Sequence, residues 1–151
     1  MTSKLVLTVM SLVLLALAPV RAAGDDTVLL NTLGYTTGQA VLLTHMAVGT
    51  LADAVGAKAY KKEQATTFIT TYINVTKGMK DQMKKLVDAD NLTKNDAQFV
   101  QNTIDVLDLV LKEAKDVQAF IESGDKSDAE AYDGSRKKAL KAIKTLLSIK
   151  D

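Results

Sequence analysis

The only histidine of the chain, His45, lies in an apolar segment rich in glycine. A polar break follows at residues 59–62, and if two antiparallel helices meet there, His45 lies level with residues 73–79. Met79 is on the predicted inward side of the second helix. A histidine nitrogen and a methionine sulfur on facing helices can hold a b-type haem iron axially or contribute to a copper site. His45 and Met79 therefore form a cofactor-binding hypothesis.

Packing is the simpler interpretation of the same two residues. Methionine at helical spacing usually fills a core, and glycines on one side of a helix admit a close helix crossing. We therefore expect His45 to be a buried or half-buried neutral imidazole that is hydrogen-bonded to a neighbour such as Thr76 or a tyrosine. On this interpretation the protein needs no cofactor.

Other catalytic constellations are missing from the sequence. There is no cysteine, so there is no thiol nucleophile, disulfide or CxxCH haem attachment. A single histidine excludes the paired E-x-x-H motifs of di-iron bundles, and no nucleophile elbow or glycine-rich phosphate loop occurs. We therefore expect that the protein is not an enzyme. An enzyme whose site consists only of carboxylates, tyrosines and lysines is kept as a further alternative.

The N-terminus has the parts of a secretory signal peptide. Lys4 precedes the apolar run Leu5–Leu17, and the small-residue stretch APVRAA follows. We predict cleavage after residue 22, a single domain over 23–151, and a secreted or periplasmic protein. Loss of Lys4 and Arg21 changes the formal net charge from +1 to −1, and a domain so close to neutrality is a poor candidate for nucleic-acid binding.

The mature chain has the 3.6-residue period of helices throughout. Capping boxes at Thr93/Asp96 and Ser127/Glu130 predict two helix starts, and Gly124 predicts a helix end. The sequence thus predicts an all-α protein, an antiparallel up-down-up-down four-helix bundle. Its helices are expected at about 26–59, 63–87, 92–124 and over about 20 residues from 127.

Two helices have clear apolar stripes that we expect to face inward. In the third helix Glu113 is expected mostly away from the stripe, among the charged residues. The predicted stripe of the third helix is Val100, Thr103, Leu107, Val110, Ala114, Val117 and Ile121. The predicted stripe of the second helix is Ala65, Phe68, Tyr72, Val75, Met79, Met83 and Leu86.

The first helix is apolar over most of its circumference. Asp53 and His45 interrupt its best apolar window, so we expect no transmembrane span in the mature chain. Leu43 and Met46 lie in the middle of its more polar side. Large apolar groups on a wet side predict a contact patch, and we expect a homodimer or a protein partner there.

The last helix ends in a basic face. This face consists of Arg136, Lys137, Lys138, Lys141 and Lys144. It is suited to an anionic surface or an acidic partner. Positive side chains near a helix C-terminus also complement the helix dipole and keep a bundle in solution, and we favour this simpler interpretation.

Together these features predict an exported, non-enzymatic helical bundle that acts by binding or assembly. The alternative is a periplasmic bundle that binds a ligand or a redox cofactor, b-type haem or copper, through His45 and Met79.

Overall fold

Four α-helices account for almost all of the described chain. The computed structural model describes residues 23–89 and 92–149, and the predicted signal peptide lies outside them. The helices are α1 (Ala23–Gly56), α2 (Lys62–Asp88), α3 (Lys94–Ser123) and α4 (Lys126–Leu146). No strand occurs in these two ranges, so the predicted all-α class is confirmed. Contacts between α2 and α3 and between α3 and α4 are extensive, which is consistent with an up-down bundle.

The chain divides into two compact units, Met1–Asn31 and Thr32–Asp151. In the first unit the described residues 23–31 are helical, and the side chains of Val28 and Leu29 are exposed. The clusters and sites described below belong to the second unit. None of the described helices is both long enough and apolar enough to cross a membrane.

The ends of α3 are set by the residues that the sequence indicates. The hydroxyl of Thr93 accepts a hydrogen bond from the amide of Asp96 at 3.2 Å, which satisfies one of the free amides of the first turn. At the other end Gly124 has a φ of 73°, the left-handed conformation that glycine adopts without a steric penalty. Both predictions are confirmed.

The predicted capping box at Ser127 is wrong. The helix α4 already begins at Lys126, after Asp125 in an extended conformation. The reason lies in the preceding turn, where the hydroxyl of Ser123 accepts from the amide of Asp125 and donates to the carboxylate of Asp128. These bonds stabilise the turn between α3 and α4, so α4 begins before Ser127.

Two apolar clusters fill the interior, and each draws side chains from all four helices. Cluster A contains Val48, Leu51, Ala52, Ala65, Ile69, Ile73, Leu111, Ala114, Val117, Ile121 and Tyr132. Cluster B contains Val41, Met83, Val100, Ile104, Val106, Leu107, Val110, Ala139 and Ile143. Full burial of a valine, leucine or isoleucine side chain contributes about 1.5–3 kcal/mol, so the two clusters dominate the favourable side of folding.

The predicted stripe of α3 is confirmed, because all seven of its residues are buried. The predicted stripe of α2 is wrong at two positions: Phe68 is 41% and Val75 is 55% exposed. A neighbouring line of the same helix, with Ile69 and Ile73, is buried instead. Phe68 packs edge-on against Tyr60, with ring centroids 5.5 Å apart, so its ring is partly covered without entering the core.

Candidate functional site

A layer of buried polar residues separates the two clusters. On each helix it lies between a residue of cluster A and a residue of cluster B. This polar layer consists of His45, Thr76, Glu113 and Ser135. The hydroxyls of Thr76 and Ser135 donate to carbonyls of their own helices, at 2.7 Å and 2.9 Å. The bond that crosses between helices is formed by the other two residues.

Nδ1 of His45 lies 2.7 Å from Oε2 of Glu113, and their side chains are 6% and 0% exposed. The bond fixes the orientation of the ring, with Nδ1 directed at the carboxyl group of Glu113. Carboxylates orient imidazoles in this way beside metals and in catalytic triads. His45 is buried, as predicted, but its partner is Glu113 and not Thr76 or a tyrosine.

Two buried polar atoms of the described residues have no hydrogen-bond partner, Oε1 of Glu113 and the phenol oxygen of Tyr132. Such an atom typically costs about 1–3 kcal/mol of stability. Burial is the main reason why the pKa of Tyr132 rises to about 12. The positive charge of Arg136 opposes this rise, whereas the negative charges of Glu113 and Asp53 add to it.

Arg136 connects this buried region to the surface. Its guanidinium carbon lies 5.9 Å from the ring centroid of Tyr132, within the range of a cation–π contact. One of its nitrogens lies 3.6 Å from a carboxylate oxygen of Asp53, a residue whose side chain is 70% exposed. Polar groups therefore continue from the buried pair to a half-exposed ion pair.

Side chains of α4 and of the residue that follows it lie beside two glycines of α1. A Cβ atom on Gly38 would overlap Cδ2 of Leu147, and one on Gly49 would lie 3.3 Å from the guanidinium of Arg136. Glycine at these two positions lets the side chains of Leu147 and Arg136 approach the backbone of α1 closely. The close approach to these glycines thus comes from the side chains of Leu147 and Arg136 and not from another backbone.

Met79, the other residue of the cofactor hypothesis, is half-buried and packs against cluster B. The α2 residue in the polar layer is Thr76, one turn before it. In the described parts of the chain, no group of three or more histidine, cysteine, aspartate or glutamate residues could hold a metal ion.

The two residues of the predicted interface are both on the surface. Leu43 is 62% and Met46 is 57% exposed, and Tyr35 on the same side is 72% exposed. We call the line of exposed residues Tyr35, Gln39, Leu43, Met46 and Thr50 the α1 outer face. Its spacings of four, four, three and four residues follow one side of the helix.

The residues of the predicted basic face differ in exposure and in their contacts. Arg136 is half-buried beside Asp53, and Lys137 forms an ion pair with Asp133 at 2.5 Å. Lys138 and Lys141 are exposed, whereas Lys144 is half-buried.

Glu113 is the main residue whose burial differs from the sequence-based prediction. It follows Val110 by three residues and precedes Val117 by four, so it lies within the inward sector of α3. This spacing indicates an inward position. A carboxylate, however, is almost never fully buried without a partner. Its partner, His45, is 68 residues away in the sequence.

No protein-family model matches the sequence, and neither curated proteins nor solved structures give a significant match.

Proposed function

We propose that this chain is an exported, non-enzymatic helical-bundle protein that acts by assembly, with a second copy of itself as the partner of the α1 outer face. The proposal includes a cleaved signal peptide at residues 1–22 and an antiparallel up-down-up-down arrangement of the four helices. The observation that carries it is the chemistry of the exposed side of α1.

The α1 outer face is free of charge. Between Asp26 and Asp53 the sequence contains no Asp, Glu, Lys or Arg, although 25% of the chain is charged. Tyr35, Leu43 and Met46 provide apolar area on this face. A neutral surface is complementary to itself, which is what the symmetric interface of a homodimer requires.

The threonines of this side are suited to burial. The hydroxyl of Thr36 donates to the carbonyl of Thr32 at 2.8 Å, and that of Thr50 donates to the carbonyl of Met46 at 3.0 Å. These donors are satisfied within α1, so covering them does not leave an unmade hydrogen bond. Association therefore buries apolar area without a large desolvation penalty.

The burial of His45 supports the non-enzymatic part of the proposal. The residue is 5% exposed, and its Nδ1 is engaged by Glu113. None of the three surface grooves described is lined by either residue.

Sedimentation analysis tests the proposed interface. We expect a dimer at micromolar concentration and a monomer for the double variant Leu43→Glu/Met46→Glu, with unchanged helicity by circular dichroism. The matched control is Thr71→Glu/Val75→Glu, which adds the same charges to exposed positions of α2 and is expected to leave the dimer intact. A wild-type protein that is monomeric at these concentrations would refute self-association, and a control that dissociates equally would refute the α1 outer face as the interface.

Export is tested separately by N-terminal sequencing of the processed protein. The first residue is expected within about two positions of Ala23. A mature product that retains Leu5–Leu17 would contradict the export proposal and leave the α1 interface to be judged by its own test.

A further inference from the structure

The C-terminal half of α4 and the residues after it are strongly basic. Residues 134–151 contain one arginine and five lysines against a single acidic residue, Asp151. Lys138 and Lys141 are exposed and form no ion pair with the described residues. Their charges are therefore available to an anionic partner.

Two open grooves flank this part of α4 and share Lys141 and Thr145. The first, of about 550 Å³, lies between α3 and α4 and has Phe99, Val106 and Leu146 among its lining residues. The second, of about 570 Å³, is lined by Leu140 and Ile149 together with lysines. The exposed apolar side chains of Leu140 and Ile149 thus lie beside the cation of Lys141.

The end of α4 holds Ile149 beside these lysines. Ser148 has a φ of 54°, and the amide of Ile149 donates to the carbonyl of Lys144 at 2.9 Å. Together with the bond from the amide of Ser148 to the carbonyl of Thr145, this is a Schellman turn. The turn folds the chain back, so Ile149, which is 44% exposed, lines the same groove as Leu140, which is 37% exposed.

We propose that this surface binds peripherally to a bilayer containing anionic phospholipids. Lys138 and Lys141 contact the headgroup phosphates, and Leu140 and Ile149 enter the boundary with the acyl chains. This combination of cations and apolar side chains on one surface is characteristic of interfacial helices. A nucleic acid would satisfy the lysines but would leave Leu140 and Ile149 against phosphates and water.

One acidic residue opposes this binding in a way that can be used as a test. Asp105 of α3 lines the first groove together with Lys138 and Lys141, and its carboxylate accepts a hydrogen bond from Gln101. Its negative charge weakens the attraction of the surface for anions. Replacing Asp105 with asparagine removes the charge and keeps an acceptor for Gln101, so binding is expected to become tighter.

The experiment is cosedimentation of the purified protein with phosphatidylcholine vesicles, with and without phosphatidylglycerol. We expect binding only to the anionic vesicles, and weaker binding at high salt because the charges are exposed. Each lysine close to an anionic bilayer strengthens binding about fivefold, so Lys138→Gln/Lys141→Gln should weaken it by about 25-fold. The variant Leu140→Ser/Ile149→Ser is also expected to bind more weakly.

The matched control is Lys77→Gln/Lys84→Gln. These exposed lysines line another groove, between α2 and α3, so the variant has the same change in net charge at a different place. It should bind vesicles as the wild type does. Absence of binding to anionic vesicles, an equal loss in the control, or preferential binding of an oligonucleotide would each overturn the proposal, whatever the oligomeric state of the protein.

Discussion

Two adjacent residues of α3, Lys112 and Glu113, form side-chain pairs on the outer and the inner side of the helix. On the outer side Lys112 and Asp116 lie 2.9 Å apart, with side chains 61% and 17% exposed. On the inner side Glu113, which is fully buried, bonds to His45 at 2.7 Å. The distances are similar, but the first pair lies within one helix at the surface and the second joins two helices in the interior.

The surroundings decide how much each pair matters to stability. Water and side-chain entropy reduce an exposed pair spaced four residues apart on a helix to about 0.3–0.5 kcal/mol. A buried pair has already lost its hydration, and removing one member leaves the other without either water or a partner. The two distances alone would therefore suggest similar contributions to stability. Mutations of each pair are expected to show different contributions.

The largest effect is expected from Glu113→Ala. The substitution leaves the imidazole of His45 unpaired in an apolar interior and creates a cavity. We expect the free energy of unfolding to fall by about 3–5 kcal/mol, measured by urea denaturation. Glu113→Gln retains an acceptor and most of the volume and should lose clearly less. A loss below about 1 kcal/mol for the alanine variant would show that water replaces Glu113 as the partner of the His45 imidazole.

The next effect is expected at alkaline pH. Burial raises the pKa of Tyr132 to about 12, whereas an unfolded tyrosine loses its proton near pH ~10. Between these values the unfolded state binds fewer protons, so stability falls as the pH rises, by up to roughly 2–3 kcal/mol. The quantity to measure is the difference in unfolding free energy between wild type and Tyr132→Phe. A difference that is independent of pH over this range would contradict the shift.

A smaller effect is expected from the double variant His45→Leu/Glu113→Leu. Replacing both members of a buried pair with apolar groups of similar size is often neutral or stabilising. We therefore expect its unfolding free energy to lie within about 1 kcal/mol of the wild-type value or above it. If the double variant is as unstable as Glu113→Ala, the pair itself contributes net stability.

The smallest effect is expected on the outer side of α3. Asp116→Asn removes the charge of the exposed pair, and the loss should be about 0.3–0.5 kcal/mol and should shrink as salt is added. Lys112→Gln provides an independent measurement of the same pair. A loss comparable to that of Glu113→Ala would mean that Asp116, which is only 17% exposed, behaves as a buried group.

The sequence predicts the helices well and the polar layer poorly, for a physical reason. The stripe from Val100 to Ile121 and the caps at Thr93 and Gly124 depend on neighbours within a few residues, so local periodicity contains them. The inward side of α2 was misassigned because two adjacent lines are both apolar. Glu113 was misassigned because its burial depends on a histidine of another helix, and no local pattern reports that contact.

The hydrogen bond between His45 and Glu113 also affects where the glycine-rich helix α1 lies along α3. Apolar contacts are nearly non-directional, so sliding α1 by one turn of about 5.4 Å would exchange one set of aliphatic contacts for another. The same slide would separate His45 from Glu113 and bury both without partners. A single buried hydrogen bond can therefore select one register, as a lone polar residue does in coiled coils. The expected consequence is that the double leucine variant, although stable, samples more than one register and gives multiple sets of NMR signals.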